Sequence, residues 1–165
     1  MISPLFRCMT VSVEARLGEE HPWCDRAQVV MLLIFLAVWG LNSWYGVTAC
    51  GFLCPWMLRA AAGLALVGFG GYLVGESHDL VIDAEAPGLV DWGVYAVVRH
   101  PMYLGILLVY LRLAAATLSL ASLALLPAFF YAYDRFAAYE ERELVEALGG
   151  DYREYMGRAR RWVPF

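Results

Sequence analysis

From Ala27 to Leu58 the chain carries no charged side chain. A helix needs about 20 predominantly apolar residues to cross the hydrocarbon core of a bilayer. Val29 to about Thr48 supplies them, with Trp39, Trp44 and Tyr45 towards one end as interfacial anchors. A soluble fold of this size has no interior large enough for the whole apolar content. Of 165 residues, 61% are hydrophobic and 17% charged, against about 45–50% and about 25% in ordinary soluble domains. That excludes a soluble enzyme, a disordered tail and a nucleic-acid binder. The net charge of −4 argues further against a phosphate-backbone partner.

The rest of the chain divides around this run. Residues 1–26 are mixed and polar, and no small-residue cleavage site follows the first apolar run, so they are expected to stay as an N-terminal cytosolic or interfacial arm. Residues 27–75 are expected to form two transmembrane helices. The break falls at Gly51–Pro55, and Pro55 suits the first turn of the second helix. Ala60, Ala61, Ala62, Gly63, Gly68, Gly70 and Gly71 in that second helix would let a neighbour approach closely. Gly68, Gly70 and Gly71 also resemble a phosphate loop, but no strand precedes them. Glu76 to Pro101 reads as a long polar loop. Met102–Thr117, interrupted by Arg112, and Leu118–Tyr133 are short for independent spans and predict a helical hairpin packed on the first two helices. From Asp134 a charged amphipathic helix should run to Leu148, stop at Gly149-Gly150, and leave a short Arg-rich tail. The expected fold is therefore all-α: a multi-span integral membrane protein of about four transmembrane helices plus a C-terminal amphipathic helix.

Every basic residue is Arg, and Arg distribution sets the orientation. With four crossings, both termini and the 76–101 loop share one side. That side holds Arg7, Arg16, Arg26, Arg99 and the six Arg from 135 to 161, while the other holds at most Arg59. The positive-inside rule places the Arg-rich side in the cytoplasm. Cys50 and Cys54, in C-G-F-L-C, could be read as a metal or redox pair. No second Cys or His pair stands nearby to complete a tetrahedral site, so small apolar residues near an interface is the reading taken, and no metal is expected.

Two polar clusters fall on that cytoplasmic side. In the first, Arg99 and His100 stand just before an apolar helix that Pro101 opens, with Tyr95 and Tyr103 at the same depth. A helix start of this kind suits an anion, and an interfacial cap with aromatic anchors explains the same residues. In the second, Glu140 and Glu141 lie at the membrane end of the charged helix, where a carboxylate could hold an ammonium or neutralise a cation. Glu143 and Glu146 suit a solvated face, and Asp134 and Arg135 are expected to pair. Arg112, inside an apolar span, is costly unless it faces a polar cavity or a partner, or snorkels to an interface.

The order L-V-D-W-G-V-Y-A-V-V-R-H-P-M-Y-L-G, then E-E-R-E-L-x-x-x-L-G-G-D-Y-x-x-Y, then R-x-R-R-W-V-P resembles the isoprenylcysteine carboxyl methyltransferase family, which overlaps with the membrane phospholipid methyltransferases. The resemblance covers about Leu89 to Phe165. It implies that 76–165 is the catalytic part of an S-adenosylmethionine-dependent methyltransferase with S-adenosylhomocysteine as product. By motif position the cofactor contacts fall on Leu89, Val90, Tyr95, His100, Pro101, Met102, Tyr103 and Glu140. Arg99, His100 and Glu141 are the catalytic candidates, and Arg112 and Arg135 the substrate candidates. The family's His two residues before Leu-Val is Pro87 here in a gapless match, and His78 takes that place in a match with an insertion. Prenylcysteine enzymes carry an Arg four residues before the Glu pair. Here that position is Phe136, with Arg135 one residue earlier.

The implied partner is a lipid-like or small-molecule acceptor: a prenylcysteine-type carboxylate, a phospholipid amine or a thiol. Such an acceptor would enter from the membrane while the cofactor arrives from the cytosol. Methyl transfer is an in-line displacement in which positioning dominates. Two other readings share these residues. One is a reductase like the membrane sterol reductases, which use NADPH. The other is a non-catalytic protein of the same fold.

Overall fold

The computed structural model describes residues 22–44, 56–82, 89–117 and 119–162. Among them are five α-helices, one 3-10 turn and no strand: α1 (Pro22–Trp44), α2 (Trp56–Ile82), the turn Gly93–Ala96, α3 (Pro101–Thr117), α4 (Leu120–Leu148) and α5 (Gly150–Arg158). Residues 1–21 of the expected arm 1–26 and the Cys50/Cys54 pair lie outside the described residues, while residues 22–26 belong to α1 rather than to an arm.

Helix α1 buries one narrow stripe, Gln28, Met31 and Phe35, and turns Val30, Leu33, Ile34, Leu36 and Leu41 outward. The stripe follows the i, i+3, i+7 spacing of a helix face. Arg26–Trp44 is long and apolar enough to cross a membrane. Leu64 (73% exposed) on α2 and Tyr131 (68%) on α4 continue the same outward apolar surface. Apolar patches of that extent are not left to water on a soluble monomer.

Three helices meet in the main core: Met31 and Phe35 of α1, Tyr103, Tyr110 and Ala114 of α3, Phe129, Tyr133 and Ala137 of α4. Phe35 stacks on Tyr110 with centroids 4.6 Å apart, and Phe129 meets Tyr110 edge-on at 5.5 Å. The Trp39 indole N–H donates to Leu113 O at 2.9 Å, tying α1 to the far end of α3. Helix α2 packs on the opposite face of α3 by close backbone approach. A β-carbon at Gly70 would lie 2.8 Å from Gly105 O, and one at Gly105 only 2.6 Å from Gly70 O. Of the small residues expected to serve this contact, Gly63 and Gly70 do so. Gly68 and Gly71 face nothing within 4 Å and sit within a helix, not a phosphate loop.

Three boundaries differ from expectation. The 76–101 loop begins only after Ile82, because α2 continues through Glu76, Ser77 and His78. Buried Ser77 removes its own polar cost there by donating its hydroxyl to Leu73 O at 2.5 Å. The hairpin's second arm and the amphipathic helix are one element. α4 starts at an N-cap where Ser119 accepts from Ser122 N, then runs unbroken past Asp134, which marks the apolar edge in the sequence but has its own partners. The Arg-rich tail contains a fifth helix. Gly149 both ends α4 and opens α5 at φ +61°, a left-handed conformation that glycine takes without steric penalty. The chain therefore turns sharply there and resumes as helix.

Candidate active site

Leu144, Tyr152, Tyr155 and Ala159 form a second small core, with Leu89 packed against it. It joins the end of α4 and α5 to the segment leading into α3. The Tyr155 hydroxyl donates to Tyr95 O at 2.8 Å. Val98 pairs with Arg160 in a short parallel bridge, and Arg99 N–H donates to Arg160 O at 2.7 Å. Between these elements lies a pocket.

All eight residues assigned to cofactor contact from the motif line this pocket: Leu89, Val90, Tyr95, His100, Pro101, Met102, Tyr103 and Glu140. Arg99 lines it too. Leu144, Tyr152 and Tyr155 complete the wall and are not among the residues expected from the motif. Their signal is the G-x-x-Y-x-x-Y spacing, which places both tyrosines on one side of α5.

The polar groups form one connected chain. The Tyr103 hydroxyl donates to Glu140 Oε1. His100 Nδ1 lies 3.4 Å from Glu140 Oε2 and its Nε2 3.2 Å from Glu141 Oε1. The imidazole thus bridges the two adjacent carboxylates. Burial pushes the His100 pKa down, but the hydrogen bonds and charges of Glu140 and Glu141 outweigh it and leave the value raised. The imidazole reaches one carboxylate with each of its nitrogens.

Glu141 points away from the pocket. Its Oε1 accepts from Arg99 Nε at 2.9 Å and Arg161 Nε at 3.1 Å, and its Oε2 from an Arg161 terminal nitrogen at 2.5 Å. Burial raises the Glu141 pKa, yet the His100 and Arg161 hydrogen bonds and the Arg99 charge take it down to about 2. Arg99 also donates to Met156 O and Ala159 O at 2.9 and 2.8 Å. These two catalytic candidates are therefore held in one ionic hub, with Arg99 on the pocket wall and Glu141 behind it. Such a hub assembles a site; cationic partners hold both oxygens of Glu141.

Asp134 does not pair with Arg135. It accepts from Arg161 at 3.0 Å and from the Trp162 indole at 2.8 Å. The Trp162 hydrogen bond, ahead of the Arg161 charge, lowers its pKa. Neither substrate candidate is brought to the pocket. Arg135 is exposed on α4. Arg112 lies nine residues beyond Tyr103, about 13 Å along α3, with its guanidinium in a slot over Gly63, where a β-carbon would overlap it. His78 is not among the pocket residues; its Nδ1 sits 3.6 Å from Asp79.

A second cavity, about 500 Å³, opens between α2 and α3 and is lined by apolar side chains, among them Phe69, Leu73, Val94, Leu104, Leu108 and Trp162. It shares a wall with the first. Val94, Val98 and Leu104 face the groove, whereas Tyr95, His100 and Tyr103 of the same segment face the pocket.

Fold and site together define a helical protein with an outward apolar surface, whose polar end holds a tyrosine-lined pocket with a carboxylate. The family model for phospholipid methyltransferases matches residues 57–150, more than half of the chain. The chain belongs to that family of membrane methyltransferases. No curated protein matches it significantly.

Proposed function

We propose that the protein transfers a methyl group from S-adenosylmethionine to the amine of a lipid-like acceptor, in a membrane that its helices cross about four times. On this reading both termini and the active site face the cytoplasm. The observation that carries it is the pocket itself: four tyrosines (Tyr95, Tyr103, Tyr152 and Tyr155) around Glu140, at the start of α3. S-adenosylmethionine, when bound, supplies an electrophilic methyl on a sulfonium. The tyrosine rings offer the faces that attract a cation and shelve an adenine. Glu140, fixed by Tyr103 and His100, offers an anion for an ammonium, and the positive end of α3 suits a carboxylate.

The amine is favoured over a carboxylate acceptor by the disposition of positive charge. A carboxylate needs a free cation at the pocket. Arg99 and Arg161 are committed to Glu141, Asp134 and backbone carbonyls, and the position of the prenylcysteine enzymes' Arg holds Phe136. The acceptor's hydrocarbon lies in the apolar groove, and its head group crosses the shared wall into a site kept from water, where the donor and acceptor can be held in line. An amine must reach the methyl unprotonated.

The test is a radiolabelled transfer assay on the detergent-solubilised protein, offered total lipid and small-thiol extracts with labelled S-adenosylmethionine, followed by mass identification of the product. Label in an amine-bearing lipid is expected. Label confined to carboxylates or thiols would overturn the acceptor, and hydride transfer from NADPH would overturn the reaction.

A further inference from the structure

We infer that Arg161 is a positioning residue for His100, acting through Glu141: the C-terminal strap Ala159–Trp162 locks the imidazole between the two carboxylates. The strap grips both halves of the site. On one side Arg99 reaches its carbonyls, with Arg99 N–H to Arg160 O at 2.7 Å and the guanidinium to Ala159 O, and also holds Met156 O of α5. On the other, Arg161 spans Asp134 and Glu141, two turns apart on α4. Trp162 is tethered to the same Asp134 oxygen, and its ring lies 6.2 Å from the His100 ring.

The mechanism of positioning is geometric. Arg161 holds both oxygens of Glu141, a two-point grip that fixes the carboxylate plane. Fixed in that plane, Oε1 faces His100 Nε2. The imidazole then presents its other nitrogen to Glu140, the carboxylate on the pocket wall. Without Arg161 the Glu141 carboxylate is held at Oε1 alone, by Arg99 and His100, so its plane is no longer fixed and it binds a proton more readily. The groups facing Glu141 are Arg99 and His100 from the pocket segment, Asp134 and Glu140 on α4, Tyr152 and Tyr155 from α5, and Arg161 itself. Of these, Arg161 is the one cation outside the segment that carries His100. The strap lies beyond the stretch matched by the family model, which ends at residue 150.

Two measurements on the full chain test this in wild type, Arg161→Gln and Arg161→Lys. The first is the ¹⁵N spectrum of His100 without ligand, in a background where His21 and His78 are Gln. At pH 5, wild type and Arg161→Lys are expected to show the same imidazole environment, and Arg161→Gln a different one. The second is S-adenosylhomocysteine affinity against pH. Arg161→Gln should bind about 5-fold more weakly at pH 7.5 and lose a further ~5- to 10-fold by pH 4.5, as Glu141 takes up a proton. Arg161→Lys should recover the acid limb, since it keeps the charge, while still lacking the two-point grip. An unchanged spectrum in Arg161→Gln, or an affinity loss equal at every pH, overturns the inference. If wild type fails to bind S-adenosylhomocysteine, the methyltransferase reading fails, and the imidazole spectra alone decide the role of Arg161.

Discussion

The α2–α3 contact and the pocket end of α4 are held together by opposite means. At Gly70 and Gly105 two backbones meet with no side chain between them, so that contact depends on shape and is indifferent to pH. At Glu141 three cationic groups converge on one buried carboxylate, so that region depends on charge and has a defined pH range. The bundle supplies a rigid frame in an apolar surrounding, where small residues let helices approach. The ionic end fixes side chains that must hold a polar ligand. The two regions should therefore fail under different perturbations.

The largest effect is expected from Glu141→Ala. It strands the largely enclosed Arg99 guanidinium without its anion and leaves His100 with Glu140 alone, and breaking a buried pair this way costs about 3–5 kcal/mol. Thermal unfolding in detergent should show the loss, together with loss of ligand binding. A change below about 1 kcal/mol would mean that the hub is not structural. Next comes Gly105→Ala. The new methyl meets backbone of α2 rather than a flexible side chain, so the helices must part, at about 1–3 kcal/mol. Its effect should be the same at pH 5 and pH 8; a pH-dependent effect would break the contrast between the two regions.

Stability against pH sharpens the same contrast. His100 has a folded pKa above its ordinary 6.5, so the stability it adds is complete below about 6.5 and lost as pH rises through the folded value. Glu141 is lowered from 4.5 to about 2, so its contribution is complete above about 4.5 and lost as pH falls towards 2. The melting temperature should therefore be highest between about pH 4.5 and 6.5. Glu141→Ala should remove the acid limb and reduce the alkaline one, which Glu140 still supports, whereas a profile without an alkaline fall in wild type would contradict the charged bridge. The smallest effect is expected from Arg135→Ala. As an exposed residue outside the pocket it should change stability by less than about 0.5 kcal/mol and leave ligand affinity unchanged. A tenfold loss of affinity would restore its assignment to the acceptor.

Much of the pocket is legible in the sequence because its residues sit in two short segments, Leu89–Tyr103 and Glu140–Glu141, whose types and order carry a family motif. Pairings across 20 or more residues are not. Asp134 looks like a partner for its neighbour Arg135, yet successive residues on a helix point about 100° apart, and Arg161 comes from the strap to occupy that carboxylate. Arg112 looks functional because an Arg in an apolar run is costly. The slot over Gly63 that accepts it is on another helix, and no periodicity in α3 reveals it. The continuity of α4 is hidden because Asp134 marks a change of surroundings, and a helix can pass through such a change without ending. Helix α5 is hidden because a glycine pair signals the end of one helix and carries no signal for the start of another.

The central claim is that the tyrosine-lined pocket holds an S-adenosyl ligand with Glu140 as its anion, and its most direct test is ligand-dependent thermal stabilisation. Saturating S-adenosylhomocysteine should raise the melting temperature of the wild-type protein, as a ligand that binds only the folded state must. Glu140→Gln should fold normally and bind about 10- to 100-fold more weakly. Stabilisation by NADPH with none from S-adenosylhomocysteine, or equal affinity in wild type and Glu140→Gln, would contradict the account.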